Sequence, residues 1–101
     1  MADGFTVITD PSRRQILDLL LAAERDVNEL VGELGVAQPN VSKHLRVLRE
    51  AGLVRMRIDG PRRVYALDPT PLAELDAWLA PYRHFWAARL DALGDHLNRS
   101  D

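Results

Sequence analysis

The sequence predicts a mainly α-helical domain that carries one small β-hairpin and ends in a long helix. Three observations predict this fold class. Apolar residues recur at helical spacing over most of the chain, their period shortens to two between residues 53 and 67, and helical spacing returns from residue 72 onwards. A chain of 101 residues suffices for one domain with a modest core, so we expect a single domain over residues 1–101 with about five helices.

The composition excludes several classes of protein. The chain contains no cysteine, which rules out disulfide bonds and thiolate metal sites. The longest apolar run, residues 19–23, is far too short to span a bilayer. The N-terminal region lacks a basic start followed by a long apolar segment, so no signal peptide is predicted. We therefore expect a cytoplasmic protein that has no membrane partner.

A helix is predicted to begin at Asp10-Pro11, because aspartate is a favourable N-cap and proline is favourable at the first helical position. Residues 5–9 are apolar and are compatible with a short preceding helix. The face of the main helix that we expect to be buried consists of Ile16, Leu19, Leu20 and Ala23.

Two further helices are predicted on either side of a tight turn. Asp26 caps a helix over Val27–Leu34, and Gly35 ends it. A second helix runs from about Gln38 to Ala51 and stops at Gly52. The expected buried residues are Val27, Leu30, Val31 and Leu34 in the first helix and Val41, Leu45 and Leu48 in the second. Two short helices joined by so short a turn are typical of a helix-turn-helix.

A hairpin follows the second of these helices. Val54, Met56 and Ile58 alternate with Arg55 and Arg57, which is the pattern of a half-buried strand. Asp59-Gly60 is a tight-turn sequence, and we expect the returning strand over Arg63–Leu67.

The last helix is predicted from Leu72 to Arg99, after Pro69 and Pro71, and Pro81 should kink it or split it in two. Its apolar stripe consists of Leu75, Trp78, Leu79, Tyr82, Trp86, Leu90, Leu93 and Leu97. So small a domain would leave much of this stripe uncovered, and the simplest cover is a second copy of the chain. We therefore expect a homodimer that associates through these residues.

The charge is distributed unevenly along the chain. Residues 37–63 contain seven Lys or Arg residues and two acidic residues, a local charge of +5. The formal total is −2, so the remainder of the chain sums to −7. A basic segment built on a helix-turn-helix and a hairpin is typical of a protein that binds nucleic-acid phosphates.

Three segments carry a resemblance to a known family: DPSRRQILDLL at 10–20, VSKHLRVLREAGLV at 41–54 and GPRRVYAL at 60–67. Together they resemble the ArsR/SmtB type of winged helix-turn-helix bacterial transcription factor. The resemblance implies a DNA-binding core over about residues 10–68 and a dimerisation helix over about residues 70–99. It also implies a homodimer that places one recognition helix per protomer in the major groove of a palindromic operator and represses transcription by blocking the promoter.

The residues predicted to bind DNA lie in the recognition helix and the hairpin. Side chains near the N-terminal end of a recognition helix contact base edges, and here they are Gln38, Asn40, Ser42, Lys43 and His44. The basic residues expected near phosphates or the minor groove are Arg46, Arg55, Arg57, Arg62 and Arg63. Arg13 and Arg14 are further candidates for backbone contacts, although Arg14 is equally compatible with a structural role. The alternative is that these side chains only keep an exposed helix and hairpin soluble.

A metal-responsive repressor is an alternative interpretation. Family members that sense arsenic-like metals carry a Cys-x-Cys pair where this chain has Val31 and Glu33. The last helix resembles a branch that lacks the usual metal sites, so no metal or other cofactor is predicted. Oxygen and nitrogen ligands for nickel or zinc are nevertheless available across a dimer from His84, Asp91, Asp95 and His96.

No enzymatic activity is predicted. The serines lie in no nucleophile-elbow sequence, and there is no glycine-rich phosphate-binding loop, so no catalytic residues are assigned. A winged helix that serves as a protein-interaction module is the remaining alternative, because a fold does not determine a function.

Overall fold

The computed structural model describes the backbone of residues 4–99 and the side chains of residues 6–94. This part of the chain contains five helices and three short strands, which confirms the predicted fold class. The elements are α1 (Gly4–Val7), α2 (Pro11–Ala22), β1 (Arg25–Asp26), α3 (Val27–Leu34), α4 (Gln38–Glu50), β2 (Val54–Asp59), β3 (Arg62–Leu67) and α5 (Thr70–Arg99).

The start of α2 and both ends of α3 lie where the sequence places them. The Asp10 carboxylate accepts hydrogen bonds from the backbone N–H groups of Ser12 at 2.8 Å and Arg13 at 3.3 Å. At α3, Asp26 and Glu29 form a reciprocal capping box, in which the Glu29 N–H donates to Asp26 at 2.8 Å and the Asp26 N–H donates to Glu29 at 3.2 Å. Gly35 ends α3 with a φ of 65°.

Replacing glycine with alanine should have opposite effects on stability inside α3 and at its C-terminal end. Gly32 lies inside the helix and Gly35 has a left-handed backbone, and a Cβ at either position would meet no atom within 4 Å. Gly32→Ala should therefore raise the free energy of unfolding by about 0.5–1 kcal/mol, because alanine is the better helix former. Gly35→Ala should lower it by about 1–2 kcal/mol, because the left-handed region is strained for alanine. Urea denaturation of the two variants checks both signs, and a shift in the same direction for both would contradict this account.

The core lies between α2, α3, α4 and the base of the hairpin. Its α4 members are Val41, Leu45 and Leu48, as predicted. In α2 the predicted face is partly wrong, because Leu17 is buried, Leu19 is half-buried and Ala23 is exposed. The reason for the last difference is that α2 ends at Ala22, so Ala23 leaves the helix with an extended backbone.

The three strands form an antiparallel sheet in the order β1-β3-β2. The hairpin β2–β3, which we call the wing, pairs Asp59 with Arg62 across a turn in which Gly60 has a φ of 60°. Because this pair continues the ladder, β3 begins one residue earlier than predicted. The burial predicted for alternate residues of this strand does not extend to Ile58. Ile58 is 72% exposed, since it lies near the free tip of the wing, beyond the core that covers Val54 at the base.

The helix α5 is continuous from Thr70 to Arg99, so of the two effects predicted for Pro81, a kink or a split, the split does not occur. Pro81 is exposed, which gives its ring room on the solvent side of the helix. The helix also begins two residues earlier than predicted, where the Asp68 carboxylate accepts a hydrogen bond from the Thr70 N–H at 3.1 Å. The described chain is 61 Å along its longest axis and at most 27 Å across the other two.

Candidate nucleic-acid interface

Helix α4 is divided into a buried face and an exposed polar face. Its exposed side chains include Gln38, Asn40, Ser42, Lys43 and Arg46, which were predicted to bind DNA, and also Arg49. Ala37 occupies the N-cap position of α4 and provides no side-chain hydrogen bond there. The positive end of the helix dipole is therefore open to solvent. Polar and cationic groups therefore line the surface that a helix-turn-helix presents to DNA.

His44 differs from the other predicted base contacts because it is half-buried and faces the start of α2. There its charge is one of several causes that lower the pKa of Asp10. Desolvation alone would raise the pKa of Asp10, but backbone hydrogen bonds from Arg13 and Ser12 and the charges of Arg13 and His44 outweigh it. Of the five residues predicted to contact bases, His44 is thus the least accessible.

A groove of about 430 Å³ separates α4 from the wing, and we call it the basic groove. Its lining contains three arginines and no acidic residue: Val27, Gln38, Ser42, Arg46, Arg49, Arg63 and Tyr65. Within the described residues, Arg46, Arg49 and Arg63 form no ion pair. Three uncompensated cations around one groove are suited to a phosphate group.

Arg49 is a further residue of the basic groove that was not predicted as a site residue. It follows Arg46 by three residues and Ser42 by seven, so all three share one flank of α4. That helical spacing was a sufficient signal.

The other three arginines of the wing all have carboxylate partners. Arg55 lies 3.7 Å from Asp68, and Arg57 lies 2.8 Å from Glu24 and 3.7 Å from Asp59. Arg62 contacts two carboxylates, since its Nε is 2.8 Å from Asp26 and its Nη2 is 2.7 Å from Glu29. As DNA contacts these three residues remain predictions, and in the free protein their charges are compensated.

Three aspartates whose pKa values are lowered each lie just before the start of a helix. The pKa of Asp26 is lowered by the hydrogen bond from the Glu29 N–H and then by Arg62, and the pKa of Asp68 is lowered by hydrogen bonds from Thr70. Asp10 before α2 shows the same direction. The pKa of Arg62 is raised by its hydrogen bond to Asp26. The pair of Asp26 and Arg62 is therefore fully charged at neutral pH.

These shifts predict an acid-dependent loss of stability. A carboxylate with a lowered folded-state pKa stabilises the fold above its unfolded pKa of about 3.9, and this stabilisation is lost as the pH falls through the lower folded-state value. The Tm followed by circular dichroism should therefore fall as the pH drops below about 5. Asp26→Asn keeps an N-cap side chain and should reduce this pH dependence. An unchanged pH profile in that variant would contradict the assignment.

Arg13 and Arg14 make contacts that fix α1 against α2. The Arg13 Nε donates to the carbonyl of Val7 at 2.9 Å, and the Arg14 guanidinium donates to the carbonyl of Ile8 at 3.3 Å. Both side chains therefore have a structural role near the N-terminus.

Helix α5 exposes a broad apolar surface, which we call the α5 face. The predicted stripe residues Trp78, Tyr82, Trp86, Leu90 and Leu93 are exposed, whereas Leu75 and Leu79 are half-buried. Phe85, which was not predicted, belongs to the same face, and Arg89 lies 4.8 Å above its ring. The side chain of Leu97 lies outside the described residues. Exposed aromatic and aliphatic side chains grouped on one face are typical of an association surface.

Two negative findings apply only to the described residues. In that part of the chain no three His, Cys, Asp or Glu side chains are grouped so that they could hold a metal ion. The side chains of Asp95 and His96 lie outside it, so the metal-responsive alternative through His84 is untested. Nor does any described helix have the length and apolar character needed to cross a membrane.

Comparisons with known proteins agree with one another. The family described as "Bacterial regulatory protein, arsR family" matches residues 10–56. The HTH-type transcriptional regulator Rv2034 of Mycobacterium tuberculosis is 41% identical over 96 residues, covering 91% of this chain and 90% of the relative. The transcriptional repressor SdpR of Bacillus subtilis is 30% identical over 78% of this chain and 88% of its own length.

Solved structures show the same similarity. The crystal structure of a possible transcriptional regulator for arsenical resistance is 41% identical, with a TM-score of 0.75 over 95% of this chain and 97% of that one. The transcriptional repressor BigR from Xylella fastidiosa is 31% identical, with a TM-score of 0.64 over 77% of this chain and 80% of that one.

Proposed function

The chain belongs to the ArsR family of bacterial transcriptional regulators, which are not enzymes, and from this premise we propose that it is a repressor that binds a palindromic DNA operator as a homodimer. The observation that carries the proposal is the basic groove, where Arg46, Arg49 and Arg63 lack acidic partners among the described residues beside the exposed polar face of α4.

In the proposed complex the N-terminal half of α4 enters the major groove. Gln38 and Asn40 carry amides that can hydrogen-bond the edge of adenine, while Lys43 suits guanine or a phosphate. Ser42 lies on the flank towards the basic groove and can reach either a base or the backbone. The arginines of the basic groove would contact the backbone phosphates that border the same major groove.

The proposed dimer forms through the α5 face. Its large apolar side chains are about half exposed in the single chain, and burying them against a second copy removes this area from water. In this proposal about residues 10–68 form the DNA-binding core and about residues 70–99 form the dimerisation helix. Two cores on one dimer place two copies of α4 on successive half-sites, which explains why the operator should be palindromic.

The direct test is a gel-shift titration with the DNA that lies upstream of the protein's own coding sequence. We expect a specific complex whose affinity falls steeply with salt, because each neutralised phosphate releases counterions. Random-sequence DNA of the same length is the control and should bind more weakly. If neither DNA were bound at low salt, the proposal would be wrong and a protein-interaction module would be favoured.

A further inference from the structure

The two arginines at the start of β3 have opposite surroundings. Arg62 and Arg63 are adjacent, and successive side chains of a strand point to opposite faces of the sheet. Arg63 lies opposite Ile58 in the ladder and lines the basic groove. Arg62 lies opposite Asp59, on the face where Arg57 contacts Glu24. Arg63 is therefore directed towards the basic groove, whereas Arg62 is directed towards the rest of the protein.

The contacts of Arg62 connect the wing to the start of α3. One guanidinium donates through Nε to Asp26 at 2.8 Å and through an NH2 group to Glu29 at 2.7 Å. Both carboxylates belong to the capping box of α3, and Asp26 also pairs with Val64 in the β1–β3 ladder. Arg62 is thus fixed by charge-assisted hydrogen bonds to two groups that are themselves fixed.

One of these two carboxylates, that of Asp26, borders the space that DNA would approach. A second groove of about 210 Å³ is lined by Asp26, Gln38, Arg62 and Arg63 among others, so it shares Gln38 and Arg63 with the basic groove. For Arg62 to reach a phosphate it would have to leave Asp26 and Glu29 uncompensated beside a second anion. The exposed carboxylates and the phosphate would then repel one another, so moving Arg62 from Asp26 and Glu29 to a phosphate is unfavourable.

From these contacts we infer that Arg62 is a positioning residue and that Arg63 is the phosphate contact of the wing. Arg62 neutralises Asp26 and Glu29 and holds β3 against α3, and this fixes the face on which Arg63 meets the basic groove. The inference rests on the proposed function and refines it: of the four arginines of the wing, only Arg63 is assigned a phosphate.

The salt dependence of binding to a short random-sequence DNA duplex, followed by fluorescence anisotropy, tests the assignment. Arg63→Ala should lower the slope of log affinity against log salt by about 0.9 for each phosphate contact removed. Adding Arg62→Ala to that variant should cause no further change in slope. A further fall of about 0.9 would show that Arg62 also contacts a phosphate and would overturn the inference. If the wild-type protein did not bind the duplex at all, the proposed function itself would have failed.

A second measurement tests the positioning role without DNA. Glu29→Gln keeps the side-chain oxygen that completes the capping box but removes the charge that faces Arg62. It should lower the Tm of the wild-type protein and leave the Tm of the Arg62→Ala variant unchanged, because the two residues act through one contact. Equal Tm losses in both backgrounds would mean that the ion pair does not hold the wing, and the inference would be wrong.

Discussion

Replacing Trp86 and Leu93 with aspartate should convert the proposed dimer into monomers and abolish most of the specific affinity for DNA. Both side chains lie on the α5 face, where they are 49% and 53% exposed in the single chain. A carboxylate buried in an apolar interface pays its desolvation cost without a compensating partner. Since each protomer then binds a single half-site, the affinity for a palindrome should fall by orders of magnitude. Sedimentation velocity measures the first effect and a gel-shift titration measures the second.

The matched control for this variant is Ala88→Asp. Ala88 is exposed and lies about half a helical turn from Trp86, on the opposite side of α5. It should leave both the dimer and the DNA affinity intact. If the Trp86→Asp, Leu93→Asp variant remained dimeric, the interface would lie elsewhere on the chain, and the role assigned to the α5 face would be wrong.

The second large effect is expected from Arg46→Ala combined with Arg63→Ala. These substitutions remove two of the three cations of the basic groove, one from each wall. The affinity for operator and for random-sequence DNA should fall to a similar degree, because phosphate contacts carry no sequence information. The salt slope should fall by about 1 for each contact that is lost. Anisotropy titrations at several salt concentrations give both quantities.

An equal loss of charge elsewhere provides the control. Arg25 lies 3.7 Å from Glu33, Arg83 pairs with Asp76 on α5, and neither arginine is a predicted DNA contact. Alanine at both positions removes the same two charges but should leave the salt slope close to that of the wild-type protein. If this control lost as much slope as the groove variant, binding would depend on total charge and not on the basic groove.

Local patterns predicted most of the fold. The capping aspartates, the glycines that end α3 and α4, and the period-two run of the wing depend on neighbours within a few residues, and each element was found close to its predicted position. The strand β1 was not predicted, because two residues carry no periodicity and exist as a strand only through pairing with β3. The exposure of Ile58 depends on how far the core extends along the wing, which the alternation of residues does not reveal.

The candidate site was predicted less completely, for a physical reason. The sequence identifies a basic segment, but which of its arginines are free depends on acids that are distant along the chain. Glu24 is 33 residues from Arg57, and Asp26 is 36 residues from Arg62. No local pattern joins such pairs. The structure therefore concentrates the free positive charge of the wing at Arg63 and joins it to Arg46 and Arg49 in the basic groove.

The central claim is that a dimer of this chain recognises a palindromic DNA sequence, and selection of bound sequences from a random pool of duplex DNA tests it most directly. The account predicts that the enriched sequences contain an inverted repeat whose half-sites are about 10 base pairs apart, centre to centre, or a multiple of that spacing. Enrichment of a single unrepeated motif, or of no motif at all, would contradict it.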